Sequence, residues 1–133
     1  MRLNLDANAI VYAIEGIAPF YEAVVARLAE AQNTPAGTVV TSRLSRLECH
    51  VKPLRDCDAP LLAAYDEFFA GRPLTIVDVD ADIIERATEI RVRYRFKTPD
   101  AIHLATALQQ KADAFLTADV ALSRCAEVKV ELL

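Results

Sequence analysis

A chain of 133 residues suits a single domain of ordinary size, and 53% hydrophobic content excludes a low-hydrophobicity disordered chain. The net charge of −4 disfavours non-specific phosphate binding, so any nucleic-acid contact must rest on local groups of cations. No apolar run approaches the roughly 18 residues of a membrane span, and no charged-then-apolar leader precedes the first strand-like run. Three cysteines, Cys49, Cys57 and Cys125, are odd in number and contain no CxxC pair, which argues against a disulfide framework or structural zinc. The expectation is a soluble, cytoplasmic protein with reduced thiols and no membrane partner.

Taken in chain order, Arg2 to Leu5 alternates polar and apolar residues and predicts a short strand, followed by a helix over 7–14 that breaks at Glu15-Gly16. Residues 22–31 have helical spacing, with Val24, Val25, Leu28 and Ala29 expected on one side. A loop with Pro35 and Gly37 leads to a β-type run at 38–41. Ser42 then caps a helix expected to reach about Val51, where Pro53 intervenes. Pro60 opens the next helix, which runs to Gly71 and Pro73. A strand over 74–77 follows, then Asp80 as N-cap of a helix over 81–94 with Ile83, Ile84, Ala87 and Ile90 as its apolar stripe. Thr98 as N-cap and Pro99 as first helical residue start a very apolar helix that ends near Lys111. A strand over 114–116, a short helix over 120–125 and a closing strand over 128–132 complete the chain. Strands alternating with helices predict a parallel sheet in an α/β fold, in one domain.

Four acids mark the ends and beginnings of these elements. Asp6 and Asp119 follow strands directly, Asp100 lies in a first helical turn, and Glu48 lies in the helix after a strand. In open parallel sheets, sites form outside the carboxyl ends of the strands, which places all four towards one edge. Each acid also has a local explanation: Asp100 as a dipole partner, Asp119 as a cap, Asp6 as a turn residue and Glu48 as a solvated charge. Asp6 and Asp100 lie beside strongly apolar segments, where an unpaired carboxylate is costly and a hard divalent cation such as Mg²⁺ or Mn²⁺ relieves the cost. Asp78, Asp80 and Asp82 read as turn and capping residues, His103 as a hydrogen-bonded helix residue within reach of Asp100, and His50 with Cys49 as a weak zinc pair. Two basic groups, Arg43/Arg46/Lys52/Arg55 and Arg91/Arg93/Arg95/Lys97, flank Glu48 and Asp100 and suit a cationic rim around an acidic pocket.

At these residues the sequence resembles the PIN-domain nucleases, and within them the VapC-type toxins of toxin–antitoxin pairs. The matching segments are Leu5-Asp6-Ala7-Asn8, Leu47-Glu48, Thr98-Pro99-Asp100-Ala101-Ile102-His103-Leu104-Ala105-Thr106-Ala107 and Leu116-Thr117-Ala118-Asp119. They come in the family's order across almost the whole chain; Ala7 stands where the family often carries Thr or Ser. The resemblance implies a three-layer α/β/α sandwich over 1–133. It also implies Asp6, Glu48, Asp100 and Asp119 as catalytic acids and metal ligands, with Asn8 and Thr117 in support. The implied activity is Mg²⁺- or Mn²⁺-dependent endonucleolytic hydrolysis of RNA, leaving 5′-phosphate and 3′-hydroxyl ends. The implied partners are a small antitoxin and a second copy in a homodimer. Two other classes suit the fold but match the residues less well: a receiver-type phosphoacceptor built on Asp78 and Lys129, which leaves Asp100 unexplained, and a non-catalytic PIN-like binding module, which predicts a lost acid where all four are present. Cleavage of DNA instead of RNA is also compatible with the sequence.

Overall fold

The computed structural model describes all 133 residues. Five strands, β1 (Arg2–Leu5), β2 (Thr38–Ser42), β3 (Leu74–Val77), β4 (Ala114–Thr117) and β5 (Val130–Leu132), form one sheet in the order β3-β2-β1-β4-β5. Every pairing is parallel. Parallel strands require long crossovers, and the helices that supply them cover both faces. The helices are α1 (Ala7–Glu15), α2 (Phe20–Asn33), α3 (Arg43–Arg55), α4 (Ala59–Ala70), α5 (Ala81–Tyr94) and α6 (Thr98–Gln109), with a 3₁₀ turn at Val120–Arg124.

The two-residue period of a strand separates two cores. Leu3, Leu5, Val39, Ala114 and Leu116 pack with residues of α1, α2, α3 and α4 on one face. Phe115 packs with Ile83, Ile90, Leu104 and Leu122 on the other. The expected three-layer α/β/α sandwich is therefore present. Asn4 breaks the apolar pattern: it is fully buried in β1 and its amide has no hydrogen-bond partner.

Several local expectations change. In α2 the buried residues are Val24 and Ala31, whereas Val25 is exposed, because this helix docks along a narrower stripe than its sequence suggests. Ile84 is likewise exposed at 45%, while Ile83, Ala87 and Ile90 face the core. Helix α3 continues through Pro53 to Arg55; the proline is buried, and the Asp56 N–H bonds the Lys52 carbonyl across the last turn. Lys97, not Thr98, occupies the N-cap of α6, so Thr98 and Pro99 both lie in its first turn. That helix ends at Gln109, and β5 begins at Val130.

The order of the strands locates the site. From β1 the chain moves outward through β2 to β3, then returns to the other side of β1 for β4 and β5. The crevice at this reversal opens between the carboxyl ends of β1 and β4, where open α/β sheets bind ligands. Asp6 and Asp119 stand at those two ends.

Candidate active site

Asp6 is the N-cap of α1 and is only 5% exposed. One carboxylate oxygen accepts the Ala7 N–H at 2.8 Å and the other accepts the Thr117 hydroxyl at 2.7 Å. Burial raises its pKa above the ordinary aspartate value; His103, Thr117 and Ala7 offset part of that rise, and the charge of Glu48 adds to it.

Thr117 is the hub of this side of the crevice. Besides donating to Asp6, its oxygen accepts from Asn8 Nδ2 at 3.1 Å and from the Asp119 N–H at 3.0 Å. The Asn8 amide oxygen accepts the Ala118 N–H at 3.2 Å. Asn8 and Thr117 thus tie the start of α1 to the turn after β4. Asp119 caps the 3₁₀ turn by accepting the Ala121 N–H at 3.0 Å. This is the local role its sequence position suggests, and it engages only one carboxylate oxygen.

The opposite wall comes from α3 and α6. Asp100, in the first turn of α6, is partly buried and accepts no hydrogen bond from the protein. Its pKa is raised first by burial, then by the charges of Asp6 and Asp119, with Glu48 adding to the effect and His103 opposing it. Glu48 projects from α3 and accepts from His103 Nε2 at 2.5 Å. The same nitrogen is 3.9 Å from Asp6. His103 therefore reaches across to α3 instead of to Asp100 one turn away, because its face of α6 points into the crevice. Burial disfavours the charged imidazole, but the Glu48 hydrogen bond and the charges of Asp6 and Asp100 outweigh it and raise the pKa. Its Nδ1 is buried without a partner. A contact between residues 55 positions apart has no local signal in the sequence.

The four acids thus gather at one crevice, yet no three His, Cys, Asp or Glu side chains close to metal-binding geometry, and Glu48 is turned to His103. The donor set nevertheless fits a hard cation. It consists of carboxylate oxygens, the Asp100 carboxylate has no protein donor, and burial, with the neighbouring acids adding to it, raises the pKa of Asp6 and Asp100.

The remaining polar residues have other work. His50 joins α3 to α4, with Nδ1 2.6 Å from the Arg46 carbonyl and Nε2 2.9 Å from Asp66. Cys49 faces the Ala7 carbonyl, so the two do not form a zinc pair. Asp80 caps α5 through the Ile83 N–H, Asp82 pairs with Arg86, and Asp78 pairs with Arg43. Asp78 follows the edge strand β3, whereas Lys129 precedes β5 at the amino edge, so a receiver-type constellation is not assembled.

Solved structures share this architecture. DNA-bound VapBC from Salmonella typhimurium aligns with a TM-score of 0.79 at 15% identity, covering 98% of this chain and 97% of that one. VapBC2 from Rickettsia felis, bound to a fragment of promoter DNA, aligns at 0.77 with 20% identity over 99% and 98%. VapC20 from Mycobacterium tuberculosis, a sarcin-ricin loop cleaving toxin, aligns at 0.76 with 19% identity over 96% and 98%. No curated protein sequence matches the chain significantly. Residues 4–128 match the PIN domain, a span that contains all four acids, and the chain belongs to the PIN domain family.

Proposed function

We propose that this chain is a metal-dependent endoribonuclease and the toxin of a toxin–antitoxin pair. The observation that carries the reading is the meeting of Asp6, Glu48, Asp100 and Asp119 around a buried carboxylate at the β1/β4 switch point. These four residues would hold Mg²⁺ or Mn²⁺. When bound, such an ion lowers the pKa of water and neutralises charge developing on the phosphate. The protein's own part is positioning. Ala7 and Thr117 hold one oxygen each of Asp6, Asn8 and Thr117 fix the turn that carries Asp119, and His103 holds Glu48.

In the proposed reaction water attacks phosphorus, the bond to the 3′ oxygen breaks, and that oxygen leaves as a hydroxyl. The products carry 5′-phosphate and 3′-hydroxyl ends. The 2′-hydroxyl is not the nucleophile, so no cyclic phosphate forms.

The VapBC neighbours motivate an antitoxin partner. A groove of about 450 Å³ between α1, α2 and α4, with Ile14, Leu28, Phe68 and Leu74 in its wall, suits an apolar segment of such a partner. A homodimer would cover Leu47, Val51 and Leu54, which line one side of α3 at 61%, 52% and 61% exposure. Light scattering on Leu47→Glu/Leu54→Glu tests this; a monomer is the expected result.

The nuclease reading is tested with purified protein and RNA, with and without EDTA, beside Asp6→Asn and Asp100→Asn. Cleavage that needs Mg²⁺ or Mn²⁺, disappears in both variants and yields 5′-phosphates is expected. Activity in EDTA, or activity that survives both substitutions, overturns the mechanism. The same assay on DNA separates ribonuclease from general nuclease action.

A further inference from the structure

The cations of this chain divide according to whether an acid neutralises them. On α3, Arg43 pairs with Asp78 at 2.9 Å, Arg46 with Asp66 at 3.3 Å, Lys52 with Glu15 at 2.7 Å and Arg55 with Asp56 at 2.9 Å. All four members of that basic group are matched. The connection from α5 to α6 is different. Only Arg93 has an acidic partner there, Glu127. Arg91 donates to the Thr98 hydroxyl at 2.6 Å, and Arg95 and Lys97 are exposed with no acid on either.

Phe96 sets the geometry of this connection. It is 4% exposed and anchored in the core beneath α5 and α6, while Arg95 and Lys97 on either side point to solvent. Arg95 closes α5 in the left-handed conformation, φ 60°, and Lys97 begins α6 in an extended one. The connector is thus a pinned turn that presents two cations. Arg124, from the 3₁₀ turn after Asp119, lies with its guanidinium 4.8 Å from the Phe96 ring centroid and also has no acidic partner. The two segments that carry Asp100 and Asp119 are joined at this point. The other cations without an acidic partner, Arg2, Arg72, Lys111 and Lys129, lie at or shortly before the starts of β1, β3, β4 and β5, at the opposite edge, and Arg2 is tied to the Thr38 hydroxyl and the Gln110 carbonyl.

We infer that Arg91, Arg95, Lys97 and Arg124 form the ridge that holds the phosphodiester backbone of single-stranded RNA as it enters the acid crevice, and that the α3 cations do not. The inference rests on the nuclease reading for its substrate. In a chain of net charge −4, a polyanion approaching four carboxylates needs unneutralised cations beside them, and the ridge supplies these.

The test is fluorescence anisotropy of a short fluorescein-labelled single-stranded RNA with the purified protein in EDTA, where metal-dependent cleavage does not proceed, over a series of salt concentrations. Arg95→Ala/Lys97→Ala/Arg124→Ala is expected to weaken binding at least tenfold. Its log–log salt slope should fall by about 2, since each phosphate contact to a single strand contributes about 0.7. Arg43→Ala/Arg46→Ala should bind within about twofold of wild type. Arg95→Lys/Arg124→Lys, which keeps the charges, should restore binding, and thermal melting of each variant confirms folding.

Wild-type affinity and slope in the triple variant overturn the inference, as does an equal loss in the α3 variant or no RNA binding by wild type. Unchanged RNA binding together with loss of a copurifying antitoxin would make the ridge a protein-docking face instead. Wild-type protein that binds RNA through the ridge but cuts nothing with Mg²⁺ would overturn the nuclease reading and leave the ridge standing.

Discussion

The two walls of the crevice are built differently. On the β1/β4 wall, Asp6, Asn8, Thr117 and the backbone of Ala7, Ala118 and Asp119 form one hydrogen-bonded network at the ends of two paired central strands. On the α3/α6 wall, Glu48 is held by one contact from His103, its side chain is 35% exposed, and Asp100 has no hydrogen-bond partner. One wall is preformed and buried, and the other is free to adjust. A preformed carboxylate beside adjustable ones would let the proposed metal site take up a cation without dismantling its fixed half, since ordered second partners orient ligands.

The contrast can be tested by removing one contact at a time. Asp6→Asn is expected to abolish measurable cleavage and to remove the rise in melting temperature expected of wild type with Mg²⁺, because a ligand stabilises only the state that binds it. Retention of either effect would show that the fixed wall is not central.

Thr117→Val keeps the shape but deletes the donor to Asp6 and the acceptor for Asn8 and Asp119. Mn²⁺ affinity measured by electron paramagnetic resonance should fall roughly 10–100-fold, as for other lost orienting partners. His103→Leu acts on the adjustable wall and should cost less, on the order of tenfold in the same measurement, with His103→Gln restoring part of it by donating to Glu48. A larger loss in His103→Leu than in Thr117→Val would reverse the ranking of the walls. Asp119→Asn, which retains the capping oxygen, should leave the fold intact and lower cleavage by only a few fold.

The smallest effect is in pH dependence. The folded-state pKa of Asp6 is raised, so its contribution to stability is fully present below the unfolded value of 3.8 and is lost as pH rises through the folded pKa. In EDTA, the melting temperature of Asp6→Asn relative to wild type should therefore decrease as pH falls from neutral through the raised pKa. A difference that stays constant between neutral and acidic pH would mean that burial does not govern this carboxylate.

Much of this arrangement was legible along the chain. The alternation in β1, the Val-Val run of β2, Ser42 and Asp80 as caps, and the apolar stripe of α5 are local signals, because strand pleat, helix period and capping act over a few residues. Val25 and Ile84 were misread because helical spacing identifies an apolar side without giving the width of what covers it. The basic groups were indistinguishable in sequence, since Arg43, Arg46 and Lys52 find their acids 35, 20 and 37 positions away.

The sequence alone determined which elements form, and it placed four acids at element termini, because hydrophobic period and terminal hydrogen bonding are local properties. Tertiary structure decided that β4 returns beside β1 and so brought Thr117 to Asp6 across 111 positions. It also decided which histidine meets which acid and which cations remain unmatched. Those outcomes depend on through-space distances and desolvation, which exist only once the sheet is assembled.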